Sequence, residues 1–212
     1  MRHGIRGTSV SLLLFLSFIF YLILLCYTEL TMAVRITYFV HGTTTDNESD
    51  IASGWNDVEL SDLGRMQAEN LRRETAHHHF DVVFCSDLKR AVDTANFAWR
   101  NVYEIIEDER LRECNYGVYN GKPSEEVEPL HETHTDTPMP NGESYEVVKE
   151  RMESFLEELK QTHDGKHVAL VAHRAPQLAL DVILKGMSWE EAFKNDWRHT
   201  KAWQPGWEYR LN

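Results

Sequence analysis

Three short runs of β-branched and aromatic residues constrain the fold of this chain more than any other feature. They lie at Val34–Val40, Phe80–Cys85 and Val168–Ala172, and each run is almost continuously hydrophobic. Such runs are typical of strands that are covered on both faces. Segments with helical spacing separate them, so the sequence predicts β-α-β units and an α/β fold. We expect a three-layer α/β/α sandwich around a mainly parallel sheet.

Amphipathic patterns predict the helices of the outer layers. Ser61 is a suitable N-cap for a helix that runs to about Thr75. We expect the inner side of this helix to carry Leu63, Met66 and Leu71. The further predicted helices are Leu88–Trp99, Ser144–Lys160 and a segment with Pro176 in its first turn.

Three further segments complete the expected architecture. Val102–Ile106 and Trp207–Leu211 are predicted strands, the latter at an edge of the sheet. Gly117–Glu143 has no steady period and is interpreted as an excursion over the edge of the sheet, with a lid as one reading. No repeat or linker indicates a second folded domain.

The N-terminal segment leaves two alternatives open. Residues 10–27 form an uncharged, apolar run of eighteen residues, with Arg2 and Arg6 before it. A helix of roughly 17–25 apolar residues can cross a bilayer, so a single-pass membrane anchor is one reading. Met32 stands directly before the first predicted strand, and translation from Met32 would give a cytoplasmic protein without this run. Both readings predict a segment 1–31 followed by one domain, 32–212.

Charge and cysteine usage exclude several classes of protein. The chain has 22 basic and 34 acidic residues, for a formal net charge of −12, which argues against a nucleic-acid partner. Cys26, Cys85 and Cys114 lack the C-x-x-C spacing of a zinc ribbon, and Cys85 is expected to be buried and inert. Nothing in the sequence indicates the oligomeric state.

Several histidines are interpreted as solvated rather than functional. His77, His78 and His79 are consecutive at a predicted helix end, where their side chains point in different directions, so we expect no metal site there. His131 and His134 lie in the irregular segment and are predicted to be exposed, with a contact between a lid and the substrate as the alternative.

The residues that leave the predicted strands point to the functional site. Ligands of open α/β sheets bind beyond the carboxyl ends of the strands. The first run leads into His41, the second into a turn that ends at Arg90, and the third into His173 and Arg174. Two histidines and two arginines on one rim predict a site for an anionic, oxygen-rich group such as a phosphoryl group.

Six stretches, in order between residue 34 and about residue 185, resemble the motifs of the histidine phosphatase superfamily, which has the phosphoglycerate-mutase-like fold. A single His-Gly pair would carry no weight, whereas six matches in the family's order make the resemblance specific. The six stretches are HGTTTDN, GWNDVELSDLGRMQAENL, SDLKRAVDTA, LRECNYGVYNGK, PNGESYEVVKERMESFLEEL and VALVAHRAP.

The resemblance implies catalytic roles for four residues. His41 would be the nucleophile that forms a phosphohistidine intermediate. Arg90 and His173 would hold the phosphoryl oxygens and stabilise the charge of the transition state. Glu113 would protonate the leaving oxygen as a general acid and then activate water as a general base.

The same motifs imply the substrate-binding residues and the partners. Asn47, Thr43, Thr44 and Tyr116 are the candidate phosphate or substrate contacts beside the catalytic group. The expected partner is a small phosphorylated metabolite. The resemblance implies no metal and no organic cofactor.

The sequence departs from the family's pattern at two positions. Val40 stands where the family has an arginine before the nucleophilic histidine, and Arg174 stands where it has a glycine after the second histidine. Losing one guanidinium weakens a phosphate clamp. Our hypothesis is that Arg174 supplies the missing charge.

The resulting functional expectation is a phosphomonoester hydrolase. A phosphomutase of the phosphoglycerate type is the alternative within the enzyme class. Only 22 residues separate Gly121 from Ser144, where mutases of this resemblance usually have a longer excursion, and this favours hydrolysis. A non-catalytic phospho-ligand binder, disabled at Val40, is the alternative from another class.

Overall fold

The computed structural model describes residues 14–21, 33–200 and 206–212. Residues 14–21 are helical, whereas the rest of the apolar run at 10–27 lies outside the described residues, as does Met32. Within the described ranges, no helix is both long enough and apolar enough to cross a membrane.

A five-stranded sheet forms the centre of the described chain. Its spatial order is β4-β3-β6-β1-β7. The strands in that order are Ile105–Glu107, Val82–Cys85, His167–Ala172, Val34–Val40 and Trp207–Leu211. The first four are parallel, and β7 pairs antiparallel with β1 at one edge. The predicted mainly parallel sheet and the predicted edge strand are therefore confirmed, while β3 and β4 begin later than predicted.

Besides the helical residues 14–21, eight α-helices accompany the sheet within the described ranges. In chain order, α1 to α8 are Thr45–Glu48, Asp62–Glu74, Lys89–Trp99, Ser124–Val127, Leu130–Thr133, Tyr145–His163, Arg174–Lys185 and Trp189–Lys194. Short 3-10 turns lie at Glu109–Leu111, Gly117–Tyr119 and Trp197–Thr200.

The alternating side chains of β1 divide the core into two layers. Ile36 and Tyr38 pack into a cluster with the buried faces of α6 and α7, whereas Phe39 packs with Leu71 and Trp99 of α2 and α3. Successive strand side chains point to opposite faces, so helices are needed on both sides. The three-layer α/β/α arrangement is therefore as predicted.

Helix α6 follows its sequence pattern closely. The Ser144 hydroxyl accepts a hydrogen bond from the Val147 amide at 3.3 Å and caps the helix. The helix continues beyond the predicted end to His163. Its buried residues are Tyr145, Val148, Met152, Phe155, Leu156 and Leu159, the stripe that the spacing predicts.

Helix α2 begins where predicted but buries a different side. Ser61 caps it, yet Leu63 and Met66 are 44% and 53% exposed, so the predicted inner side is wrong for these two residues. The buried residues are Gly64, Ala68 and Leu71. The helix packs so closely against the loop after β1 that small residues, and not large apolar ones, occupy the contact.

Gly42 and Gly64 form the closest part of this contact. A Cβ atom on Gly64 would lie 1.9 Å from the Thr43 carbonyl oxygen, and one on Gly42 would lie 2.5 Å from the Gly64 carbonyl oxygen. The loop is also held by hydrogen bonds from the Thr43 amide to Gln67 Oε1 at 2.8 Å and from the Ser61 amide to the Thr43 carbonyl at 2.9 Å. These contacts fix the backbone that follows His41.

The irregular segment 117–143 has more local structure than its sequence indicates. It contains α4, α5 and the short strand β5 (Lys122–Pro123), which pairs antiparallel with β2 (Ile51–Ala52). His131 on α5 is 3% exposed, so its predicted exposure is wrong. Its burial follows from packing between the rings of Tyr116 and Tyr145.

The Gly42–Gly64 contact generates a stability prediction. Gly64→Ala should lower the free energy of unfolding by about 1–3 kcal/mol, because the new methyl group forces the loop away. This sign opposes intrinsic helix propensity, which favours alanine over glycine by about 1 kcal/mol. Urea unfolding measures the effect. The control Leu63→Ala, at an exposed position one residue away, should change stability by less than about 0.5 kcal/mol; a stabilised Gly64→Ala protein would contradict the contact.

Candidate active site

The pairing of β1 with β6 brings two histidines together. Val40 pairs with Ala172 in the parallel register, so His41 and His173 leave adjacent strands at the same level. Their ring centroids are 5.1 Å apart. The His173 backbone is fixed by Tyr38, whose hydroxyl donates to the His173 carbonyl at 2.6 Å and accepts from its amide at 3.0 Å.

The environment of His41 suits a nucleophile. Its Nδ1 lies 2.8 Å from the Gly42 carbonyl oxygen, which can only accept, so Nδ1 carries the proton of the neutral ring. This tautomer places the reactive lone pair on Nε2. Burial, aided by the charge of Arg90, lowers the pKa of His41 to about 3. The imidazole is therefore neutral, as nucleophilic attack requires.

His173 is fully buried, including both nitrogen atoms of its ring. Neither ring nitrogen has a hydrogen-bond partner among the described residues. Burial and the charge of Arg90 hold the pKa of His173 well below its usual range. A buried donor without a partner costs about 1–3 kcal/mol. An anionic ligand that accepts this hydrogen bond removes that cost.

Arg90 provides the positive charge beside the two histidines. It lies in the first turn of α3, is 2% exposed, and donates to the carbonyl oxygens of Asn56 at 3.0 Å and Gly54 at 2.7 Å. Burial lowers the pKa of Arg90, while the nearby charge of Glu113 opposes that shift. Its guanidinium stays charged, and burial strengthens its attraction for an anion.

Glu113 is held by the backbone amides at the start of α7. Its Oε1 accepts from the amides of Cys114 at 2.8 Å and Ala175 at 3.1 Å, and its Oε2 accepts from the Arg174 amide at 3.2 Å. The positive end of the helix stabilises a carboxylate in this position. The carboxyl is thus fixed next to the turn that carries His173.

A cavity of about 430 Å³ unites most of the predicted site residues. The predicted residues that line it are His41, Thr43, Asn47, Arg90, Glu113, Tyr116 and Arg174, together with Val40. His173 lies directly beside His41 and is wholly covered. The convergence that the strand ends indicate is therefore present in the structure.

Thr44 differs from the other predicted contacts. Its hydroxyl accepts from the Asn47 amide at 3.0 Å, and Asn47 Oδ1 accepts from the Thr44 amide at 3.0 Å, so the pair forms the capping box of α1. Thr44 is fully buried and is absent from the described lining of the cavity. Thr44 therefore shapes the loop, whereas Asn47 lines the cavity.

Arg174 makes its own polar contacts at the far side of the same cavity. Its Nε donates to Asp196, and one Nη donates to Tyr145 Oη and His131 Nδ1, each at 2.8 Å. Asp196 therefore compensates the charge of Arg174. Replacement of the family's missing arginine by Arg174 stays a prediction, and it requires the guanidinium to bind a substrate while this ion pair is intact.

Sequence reasoning missed Arg198 and Glu128 in the cavity and gave His131 a substrate contact only as an alternative. His131 accepts from Arg174 at Nδ1, so its proton is on Nε2, and Nε2 lacks a partner among the described residues. Arg198 donates to Asp196 at 3.0 Å and to both oxygens of Glu128 at 2.6 and 2.9 Å. No motif marks these residues, since they lie in the irregular segment and after the last predicted helix.

The fold and the site together define a pocket that suits a phosphoryl group, with two histidines and an arginine at the ends of the strands. The sequence pattern of the histidine phosphatase superfamily (branch 1) matches residues 38–205. The chain belongs to this superfamily.

Curated relatives and solved structures agree with this membership. The chain is 33% identical over 165 residues to a 2,3-bisphosphoglycerate-dependent phosphoglycerate mutase of Cytophaga hutchinsonii. The aligned region covers 71% of this chain and 77% of that relative. The chain is 30% identical over 164 residues to phosphoserine phosphatase 1 of Hydrogenobacter thermophilus, at 73% and 77% coverage. The structure resembles a mycobacterial glucosyl-3-phosphoglycerate phosphatase with VO3, with a TM-score of 0.66, 28% identity, and coverage of 76% and 86%. Relatives of the chain thus include phosphatases and phosphomutases.

The buried histidines generate a prediction about acid stability. Burial, with the charge of Arg174 second, lowers the pKa of His131 to about 2. The unfolded chain therefore binds a proton below about pH 6.5 that the folded chain does not, so stability falls as the pH falls through this value. Below that pH, each such histidine makes the free energy of unfolding fall by about 1.4 kcal/mol for every unit by which the pH is lowered.

Replacing His131 should remove one of these contributions. Urea unfolding between about pH 6 and pH 5 should give His131→Phe a slope smaller by about 1.4 kcal/mol per pH unit. Tyr145→Phe, which removes another partner of Arg174 and leaves the imidazole, is the control and should keep the original slope. An unchanged slope in His131→Phe would show that this histidine titrates alike in both states.

Proposed function

We propose that this protein hydrolyses a small phosphomonoester through a phosphohistidine intermediate on His41. One observation supports this proposal above all others: a neutral His41, with its reactive lone pair on Nε2, lies beside the buried His173 and the buried charge of Arg90. Among the described residues, the ring nitrogens of His173 have no hydrogen-bond partner. Such a site attracts a phosphoryl group and presents a nucleophile to it.

In the first step, His41 Nε2 attacks phosphorus as the bond from phosphorus to the leaving oxygen breaks. Glu113 donates its proton to that oxygen, and the product alcohol departs. In the second step, water attacks the phosphohistidine and transfers a proton to Glu113, and the phosphorus–nitrogen bond breaks. His41 returns to its neutral form and inorganic phosphate is released. The backbone amides around Glu113 suit the carboxylate that acts as the base in the second step.

The distribution of charge favours Arg90 as the main phosphoryl clamp. Val40 provides no guanidinium at the strand end, and burial strengthens the attraction of Arg90 for an anion. Arg174 lies in the same cavity, where its ion pair with Asp196 reduces its attraction for an anion. We therefore propose that Arg174 assists at the leaving-group side rather than replacing the missing arginine in full.

The charges around Arg174 favour a substrate with one phosphate. Arg174 and Arg198 line the cavity and pair with Asp196 and Glu128, so two positive charges meet two negative charges. A phosphomutase of the phosphoglycerate type must hold a second phosphate, and a charge-balanced wall gives that group little attraction. This supports hydrolysis over the mutase alternative.

The first test is phosphate release by the full-length protein from a panel of small phosphomonoesters, in the presence of a chelator. Wild type should release inorganic phosphate and form an acid-labile phosphoprotein in rapid-quench experiments. His41→Ala should abolish both signals, because no other group replaces the nucleophile.

The outcomes separate the three functional candidates. Phosphoprotein formation with transfer back to a substrate hydroxyl, and no phosphate release, would establish the mutase. Tight binding of a phosphomonoester by a folded protein that forms no phosphoprotein would establish the non-catalytic binder. Either result contradicts the proposed hydrolase.

The two arginines of the cavity provide a matched comparison. Arg90→Gln should lower kcat by about 100- to 1,000-fold, because one preorganised donor to the transition state is lost. Arg174→Gln should lower it by less than about tenfold, because its charge is already compensated. Steady-state kinetics on one substrate measures both. An equal loss in the two variants would show that Arg174 is a direct clamp of the phosphoryl group.

A further inference from the structure

A second cluster of possible ligands lies away from the cavity. His78, His167 and Glu208 each direct one ligand atom to a common point, and these atoms lie within 4.8 Å of one another. His78 follows α2, His167 is the first residue of β6, and Glu208 lies in β7. We call these three residues the His–His–Glu cluster. Because β6 carries His167 at its first residue and leads to His173 after its last, the cluster and the active site lie toward opposite ends of this strand.

Thr37 joins two members of the cluster through one hydroxyl group. Thr37 Oγ1 lies 2.8 Å from His167 Nε2 and donates to Glu208 Oε1 at 2.7 Å. The Thr37 hydroxyl thus lies between His167 Nε2 and the Glu208 carboxylate and brings these two groups to the same place.

The three groups are suitable donors of lone pairs to a cation. His167 is buried, and its Nε2 and the Glu208 Oε1 both lie within hydrogen-bond distance of the same Thr37 hydroxyl. The two imidazoles and the carboxylate come from three separate segments of the chain, and their ligand atoms lie within reach of one ion.

A metal ion suits this set of groups. An ion between the His167 imidazole and the Glu208 carboxylate would bind a lone pair of each. Thr37 would keep its hydrogen bond to Glu208 and hold that ligand in place, as hydrogen-bonded neighbours of metal ligands generally do. His78 adds a second imidazole, and two imidazoles with one carboxylate form a set that Zn²⁺ favours.

We propose that His78, His167 and Glu208 form a Zn²⁺ site in which water completes the coordination. Zinc ligands lie at roughly 2.0–2.2 Å from the ion, so the three ligand atoms must move closer together than 4.8 Å. The exposed Glu208 and the half-buried His78 can rotate toward the buried His167, which is the fixed member.

The ion would connect three parts of the fold. It would join the turn after α2 to β6 and to β7, the edge strand of the sheet. A ligand that binds only the folded state stabilises it by mass action. Zinc should therefore raise the thermal unfolding midpoint, while catalysis at the opposite end of β6 proceeds in a chelator.

The test titrates Zn²⁺ into the metal-free, full-length protein and follows binding by calorimetry and the midpoint of thermal unfolding. Wild type should bind one ion per chain at this site and show a raised midpoint. Glu208→Gln, which keeps an acceptor for Thr37, and His78→Ala should each weaken binding by at least about tenfold and lose the rise in midpoint.

The neighbouring histidines supply matched controls. His77→Ala and His79→Ala remove the same type of side chain from the same turn and should bind zinc as wild type does. Unchanged zinc binding in Glu208→Gln and His78→Ala would overturn the proposal, as would an equal loss in His79→Ala. Circular dichroism of each metal-free variant verifies that the fold is intact.

Discussion

The parallel pairing of β1 with β6 is the interaction on which the site depends. It fixes Val40 opposite Ala172, and the next residue of each strand is a histidine. A slip of one residue in this register would turn one imidazole to the other face of the sheet. The surrounding structure secures the register from both sides, with Tyr38 holding the His173 backbone and the Gly42–Gly64 contact holding the chain after His41.

Electrostatics and packing act together at this point. Burial keeps His41 and His173 neutral, while Arg90 places a positive charge beside them. The two neutral imidazoles and this charge together suit an anionic ligand. Glu113 is positioned by the amides at the start of α7, the helix that follows His173 directly. Small changes at the end of β6 would thus move His173 and Glu113 at the same time.

The parts of the fold that local pattern determines could be predicted from the sequence. The bounds of β1 and the buried stripe of α6 follow from hydrophobic spacing, and the meeting of His41, Arg90 and His173 follows from their positions after strands. Other features depend on tertiary contacts. The exposure of Leu63 results from close backbone packing, and the burial of His131 results from aromatic partners elsewhere in the chain.

Interactions between distant segments were beyond the reach of the sequence. From the sequence, Arg174 is expected to supply the charge that is missing at Val40. In the structure Arg174 pairs with Asp196, so its charge is already compensated. The cluster around His167 combines residues from a turn and two strands, whose proximity only the sheet order reveals. In both cases the sequence shows the residue types, but it does not show which residues they contact.

The position of β7 has a consequence for the order of events during synthesis. β1 is the first strand of the sheet to leave the ribosome, and β7, which covers its open edge, is the last. Throughout elongation, the strand that leads to His41 therefore has an apolar edge with unpaired amides and carbonyls, which can template association with other nascent chains. Chaperone binding near the N-terminal strand would protect the polypeptide until Trp207–Leu211 has emerged and the edge is closed.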